Sequence, residues 1–337
     1  MGKRRESGAT DDVHAVRDAR AAAALADDLA IDIDAELAGR TTTEAIRLVL
    51  GRISWRAARA YVQARRVSIN GAPSLDPARR LTEGERVVVH AAPLAPPPAL
   101  EDLAILHLDE SVVVFDKPAG IATERFAAER RWPARRKALQ PVAEELLPAA
   151  IARREGVRAR VQLTMVHRLD RETSGVMVAA RTERAAQGLI ALFARHEIHR
   201  AYEAICRGRV AAARTIRSHL VRDRGDGVRG SGDEGEGQLA VTHVEPLEAH
   251  ETWSHVRCRL ETGRTHQIRI HLAEAGHPLF GDKRYGRPED AHAASERHAL
   301  HAVELAFAHP ETRAPMTFRS PLARDLERLL ARLRAEG

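Results

Sequence analysis

Polar and apolar positions change rhythm several times along the chain, and each rhythm predicts an element. Thr41 followed by Glu44 three residues later is a capping-box pattern ahead of a helix over Glu44–Leu50, and Ser54 stands where it would cap a second helix ending near Arg65. Val67-Ser68-Ile69 then alternates as a short strand, Asn70-Gly71 supplies a tight turn, and the β-branched run Arg86–His90 follows Glu83-Gly84. Two helices and a small hairpin sheet make an α/β module of residues 33–90. Ahead of it, residues 1–32 are rich in Ala, Arg and Asp and read as a flexible, loosely helical tail. After it, Ala91–Ala99 holds four prolines in nine residues, which denies the backbone both helix and ladder hydrogen bonds, so residues 91–101 read as a semi-rigid linker.

Beyond the linker, residues 102–337 form one larger domain in which short β-rich runs outnumber helices. The runs are Ala104–Leu108, Val112–Phe115, Val176–Ala180, Ile198–Cys206, Trp253–Glu261 and Ala299–Phe307. Helical periodicity covers Thr182–Arg195, His266–Ala275 and Leu322–Leu333, the last introduced by Ser320-Pro321 as cap and first-turn proline. Consecutive strands with helices interspersed predict an α+β fold, not a regular βαβ series. Arg222–Gln238 is glycine-rich and charged and reads as a mobile surface loop.

Composition narrows the classes. With 44% hydrophobic and 30% charged residues in 337, the bulk of the chain can bury a core and keep a hydrated surface. No apolar run reaches the roughly 18–20 residues that cross a bilayer, and MGKRRESGATDD lacks the apolar core of a secretion signal, so a cytoplasmic protein without a membrane partner is expected. Cys206 and Cys258 each fall inside a predicted strand, away from any ligand-like spacing, and read as small buried hydrophobes. The net charge of +6 looks small for a polyanion binder, but its distribution is uneven. Residues 1–50 hold 7 Lys+Arg against 10 Asp+Glu, residues 52–90 hold 8 against 3, and residues 125–160 hold 10 against 4. Two basic blocks therefore stand in a nearly balanced chain.

The densest polar string is Val166-His167-Arg168-Leu169-Asp170-Arg171-Glu172-Thr173-Ser174-Gly175, followed at once by the apolar run Val176–Ala180. Guanidinium groups on either side of Asp170 favour its carboxylate form, which can act as nucleophile or base; an isolated Asp-Arg pair could equally cap a turn. Ser174, His167 and Asp170 lie too close in sequence for a hydrolase triad, and there is no nucleophile elbow. His167, His266 and His271 match no common metal-ligand spacing.

This string resembles the HRLD-x-x-TSG motif of the RluA family of RNA pseudouridine synthases, and further matches follow in order. Asp116-Lys117-Pro118-Ala119-Gly120 resembles the family's K-P-x-G turn, and Thr262-Gly263-Arg264-Thr265-His266-Gln267-Ile268-Arg269-Ile270-His271 its T-G-R-T-H-Q-x-R-x-H segment. Gly276-His277-Pro278-Leu279-Phe280-Gly281-Asp282 and Tyr285-Gly286 resemble the block after it. The resemblance implies a mixed, largely antiparallel central sheet flanked by helices, and an enzyme that isomerises a uridine already in RNA without cofactor or metal. By motif position, Asp170 would be the catalytic aspartate, Arg269 the basic residue paired with it, Tyr202 the ring against the target base, and Arg168 the side chain that fills the space the base vacates. Residues 33–90 resemble, more weakly, the alpha-L RNA-binding motif of small-subunit ribosomal protein S-four, on Ile53–Arg59, Ala64–Gly71 and Glu83–Val89. Arg52, Arg56, Arg59, Arg65 and Arg66 would then form a phosphate-facing patch. The expected partner is structured RNA, ribosomal or transfer, with no protein partner implied; the alternative is a non-catalytic RNA-binding or ribosome-assembly protein on the same fold.

Overall fold

A computed structural model describes residues 25–336 apart from 26, 128, 157–160, 226, 234, 287–294 and 296. Most of the expected tail, residues 1–24 and 26, lies outside the described residues. The described residues separate into two compact units, one of residues up to 97 with 132–139, the other of residues 98–131 and 140 onward.

In the first unit, β1 (Leu29–Asp32), β2 (Val67–Ile69), β3 (Ala72–Pro73) and β4 (Arg86–Val89) form an antiparallel sheet in the order β1-β4-β2-β3. Helices α1 (Thr42–Val49) and α2 (Trp55–Gln63) carry the caps the sequence places, Thr41 Oγ1 accepting from Glu44 N at 3.2 Å and Ser54 Oγ from Ala57 N at 3.1 Å, although α1 begins two residues before the expected Glu44. Ile46, Val62, Val67, Val87 and Val89 pack into the unit's core. The tail reading is wrong for residues 29–32. Leu29, Ile31 and Ile33 alternate with acidic or small residues, and Ile31 is buried opposite Val87 in the β1–β4 ladder. A third helix, α3 (Ala134–Leu139), belongs to this unit. Part of the proline-rich segment is also held here, since Leu94 N donates to Arg65 O at 2.8 Å.

The second unit is built on an eleven-stranded sheet. Its strands are β5 (Ala104–Leu108), β6 (Val112–Lys117), β7 (Thr164–Met165), β8 (Ser174–Ala180), β9 (His199–Arg207), β10 (Arg214–Val221), β11 (Gly230–Ser231), β12 (Gln238–Ala249), β13 (Trp253–Leu260), β14 (Leu300–Ala308) and β15 (Pro315–Arg319). The path runs β11-β10-β12-β13-β9-β14-β8-β6-β5, with β15 on β14 and β7 on β8; every pairing is antiparallel except β8 with β14. Helices α4 (Ala143–Glu155), α5 (Glu183–Ala194), α6 (Gln267–Glu274) and α7 (Arg324–Glu336) complete the mixed α+β architecture. The core gathers Val112–Phe115, Val176–Ala180, Leu147, Ile151 and Leu189 between β6, β8, α4 and α5. Cys206 and Cys258 sit fully buried on the neighbouring strands β9 and β13, and burial pushes the Cys206 thiol up to about 12.

Three expectations change. Ser320 does not cap the final helix, which begins at Arg324; its hydroxyl donates instead to Asp116 Oδ2 at 2.6 Å. The glycine-rich segment is partly in the sheet, because β11 pairs with β10 and Glu274 Oε2 accepts from Ser231 Oγ at 2.6 Å. Part of the basic block at 125–160 is paired with glutamates inside the second unit, while residues 132–139 of that block belong to the first. Arg125 makes a bidentate pair with Glu145 at 2.6 Å, Arg130 lies 3.3 Å from Glu144, and Arg153 lies 2.8 Å from Glu101.

Candidate active site

Asp170 sits in the turn between β7 and β8, and almost every residue around it is clamped by a distant part of the chain. Thr123 Oγ1 donates to Leu169 O at 3.0 Å and accepts from Leu169 N at 3.1 Å. Fully buried Lys117, at the end of β6, donates through Nζ to the carbonyls of Pro118, Ile121 and Arg171 at 2.9, 2.9 and 3.2 Å. One ammonium with three acceptors matches its hydrogen-bonding capacity. Burial nevertheless pulls its pKa down to about 7, against the attraction of Glu172 and Asp170. Gly120 N adds a second donor to Arg171 O at 2.9 Å, which explains the K-P-x-G string as a clamp on the turn.

The far side of the turn is held from the chain's C-terminal third. Arg297 Nη1 donates to Glu172 O at 2.8 Å and Nη2 to Ser174 Oγ at 3.0 Å, while Asp325 at the start of α7 anchors the guanidinium at 2.6 and 3.1 Å. His298 Nε2 lies 2.8 Å from Thr173 Oγ1. His301 bridges Ser174 Oγ at 2.8 Å and Ser320 Oγ at 3.1 Å; because Ser320 spends its proton on Asp116, His301 Nε2 donates to Ser320 and Nδ1 accepts from Ser174. Here β8 meets β14 so closely that a Cβ on Gly175, at φ +118°, would lie 2.2 Å from Ala302 O.

Facing the turn is α6. Gln267 fixes its first residue with all four side-chain bonds, accepting from Thr262 Oγ1 and Arg264 N at 2.8 and 3.0 Å and donating to Val241 O and Thr242 Oγ1 at 3.0 and 2.9 Å. Arg269 then projects into the site, where Nη1 donates to Asp170 Oδ2 at 3.0 Å and Nε and Nη2 form a fork on Asp282 at 2.7 and 2.9 Å. Asp282 Oδ1 also accepts from Arg284 N and Tyr285 N at 3.0 and 3.1 Å. Gly281 makes this possible: at φ +70° a Cβ there would lie 2.1 Å from Arg297 O. Tyr285 lies under the Arg269 guanidinium at 5.1 Å, and its hydroxyl is 2.8 Å from His266 Nδ1.

Burial alone would raise the pKa of Asp170, but His266, Arg269 and His298 outweigh it and hold the carboxyl below its ordinary range. His266 is itself lowered to about 4 by burial, so at neutral pH the Arg269 guanidinium is the cation acting on Asp170. Both Arg269 and His266, 3.8 Å away, address Oδ2; among the described residues no hydrogen bond engages Oδ1. The carboxylate is thus ionised, oriented through one oxygen and open through the other.

The structure brings Asp170 and Arg269 together and puts Tyr202 in the same electrostatic neighbourhood. Tyr202 lies on β9, paired with Cys258 and Ala302, and is 8% exposed. Burial raises its phenol pKa, and the charges of Arg200 and Asp170 both act on it. Arg168 is exposed between half-buried His167 and buried Leu169, with no ion pair or hydrogen bond among the described residues. In the first unit Arg52, Arg56 and Arg59 are exposed, but Arg65 and Arg66 spend donors on their own module. Arg65 bonds Ala95 O at 2.7 Å, and Arg66 bonds His90 O and Ala91 O at 2.8 and 2.6 Å while stacking over Tyr61. The sequence reading missed Asp282, Lys117, Thr123, Gln267, Arg297 and His298; the first, second and fourth lie inside quoted motifs, where the motif itself was the signal. Among the described residues no group of three or more His, Cys, Asp or Glu side chains could hold a metal, and no helix is long and apolar enough to cross a membrane.

Two histidines whose values burial lowers give a pH expectation. His167 Nε2 accepts from Val178 N at 3.1 Å, and burial lowers both His167 and His298 to about 3. With folded values below the unfolded value of about 6.5, the unfolded chain binds more protons, so stability present above that pH is lost as pH falls toward 3. At about pH 5 each histidine should cost about 2 kcal/mol. Urea midpoints should therefore fall steeply below about pH 6.5, and less steeply in His167→Gln, whose amide oxygen can accept the same N–H; equal slopes in the two proteins would refute the assignment.

Comparison with known proteins points to one family. A family profile described as RNA pseudouridylate synthase matches residues 111–274. The ribosomal large subunit pseudouridine synthase D of Neisseria meningitidis serogroup B is 33% identical over 322 residues, spanning 92% of this chain and 83% of that protein. Its counterpart in Escherichia coli strain K12 is 32% identical over 292 residues, covering 82% and 85%. Among solved structures, human RNA Pseudouridylate Synthase Domain Containing 4 aligns with a TM-score of 0.56 at 25% identity, over 68% of this chain and 93% of that one.

Proposed function

The chain belongs to the RNA pseudouridylate synthase family and is an isomerase of uridine in RNA; on that premise we propose that its substrate is large-subunit ribosomal RNA and its catalytic group Asp170. The observation that carries the site assignment is the Asp170 carboxylate, with Oδ2 held by Arg269 at 3.0 Å and Oδ1 unengaged among the described residues. In the reaction the bond from ribose C1′ to uracil N1 breaks and one to C5 forms, while C5 gives up a proton and N1 gains one, so atoms balance without a co-reactant. Attack on the ribose and deprotonation of it both require an ionised, aimed carboxylate, which this pair supplies. Tyr202 supports the base by stacking, and Arg168, exposed beside the turn and unpaired among the described residues, occupies the space the extruded base leaves. The first unit holds the RNA through phosphate contacts from Arg52, Arg56 and Arg59, with Arg65 and Arg66 contributing less because their donors are engaged.

The ribosomal reading rests on the two pseudouridine synthase D relatives, whose names specify the large ribosomal subunit. The purified protein should convert uridine to pseudouridine in large-subunit RNA transcripts when products are mapped by mass spectrometry. Modification of transfer RNA alone would overturn the ribosomal assignment, and no product in either RNA would overturn the catalytic one.

A further inference from the structure

Trp55 opens α2 with its side chain in solvent. It is 50% exposed, although tryptophan is ordinarily among the most buried side chains on average. Arg47, from α1, lays its guanidinium over the indole at 5.0 Å, which fixes the ring from one face. Arg59 follows Trp55 by four residues and shares its helix row, while Arg56 and Arg52 flank it and are exposed. Among the described residues none of these four arginines has an ion-pair partner, and Arg47 Nε is buried without an acceptor. The contrast with the other exposed aromatic is informative. Phe126, 59% exposed, stands beside Arg125 and near Arg130 in sequence, and both of those are paired to glutamates. Among the described residues Trp55 is an exposed ring whose neighbouring arginines have no ion-pair partner.

A ring that offers stacking, ringed by cations that offer phosphate contacts, has the two properties that recognise an unpaired nucleotide. A protein partner would want acidic groups against the arginines and an apolar contact for the ring, but a single indole on a helix of this size gives little apolar area to bury. We infer that Trp55, backed by Arg47, is a stacking platform for one unstacked base of the RNA, with Arg52, Arg56 and Arg59 holding the adjacent phosphates. The inference rests on the reading that the first unit binds RNA, and adds to it which feature of the RNA is held: a looped-out or single-stranded nucleotide instead of a duplex.

The test uses the full-length protein with a fluorescently labelled RNA hairpin carrying an unpaired loop, and the same stem without it. Trp55→Ala should weaken binding to the loop RNA by about tenfold, within the roughly 5- to 150-fold range of one lost base stack, and leave the slope of log affinity against log salt unchanged. Binding to the plain stem should change by less than about twofold. Trp55→Phe keeps a stacking ring and should retain most of the affinity while losing the RNA-induced quenching of tryptophan emission. The combined Arg52→Ala, Arg56→Ala and Arg59→Ala protein should instead lower the salt slope, by about 0.7–0.9 per phosphate contact. Equal loop affinity of Trp55→Ala and the parent overturns the stacking site while the module reading stands. An unchanged salt slope in the triple variant overturns the module reading itself. Matching circular dichroism and thermal midpoints show that each exposed-site variant is folded.

Discussion

Replacing Asp170 with asparagine is expected to abolish pseudouridine formation while RNA affinity stays within about twofold of the parent. The substitution keeps the size of the side chain and leaves an oxygen that can accept from Arg269 Nη1, so the turn between β7 and β8 keeps its shape. What it removes is the negative charge. The clamps from Thr123, Lys117 and Arg297 act on backbone atoms of Leu169, Arg171 and Glu172 and are untouched by the change. Loss of a group that works as part of a unit costs about 10⁴-fold or more in turnover. Turnover within about tenfold of the parent would remove Asp170 from the mechanism. Single-turnover assays at saturating RNA, beside equilibrium binding to the same RNA, separate the two quantities.

Much of this site is legible in the chain, and the limit of that legibility has a physical cause. The turn around Asp170 and the buried strand after it are local in sequence, so a polar string against an apolar run exposes both. Capping at Thr41 and Ser54 is likewise a three-residue signal, and the helices begin where it says. What holds the turn in place is not local. Lys117 reaches Arg171 across 54 residues and Arg297 reaches Glu172 across 125, and no periodicity links such positions. Ser320 shows how a local signal misleads: ahead of a proline it reads as a cap, yet Asp116 and His301 had the stronger claim on its hydroxyl. Charge counts mislead in a related way. Arg125, Arg130 and Arg153 of the second basic block face glutamates that the fold brings in, one from outside the block, whereas among the described residues those near Trp55 meet none, a difference that net charge cannot register.

The pairing of Arg269 with two carboxylates leads to a sharper expectation, in which stability and catalysis come apart. Arg269→Met leaves Asp282, whose side chain is wholly buried, and Asp170 without their common cation, and should destabilise the fold by about 3–5 kcal/mol. Adding Asp282→Asn removes one of the stranded charges, and the asparagine oxygen can still accept the Arg284 and Tyr285 amides that Asp282 Oδ1 receives. The double variant should therefore recover most of the lost stability, a coupling that a double-mutant cycle on urea unfolding reads directly. Turnover should not recover. Asp170 still lacks the guanidinium that orients Oδ2 and keeps it ionised, so both variants should fall about 10³-fold or more below the parent. A double variant that regained activity with its stability would show that Arg269 serves Asp282 and the fold, and that Asp170 is aimed by something else. A single variant as stable as the parent would show that the fork on Asp282 carries no net weight. Recovery of stability without recovery of turnover is the outcome that places Arg269 in both roles at once.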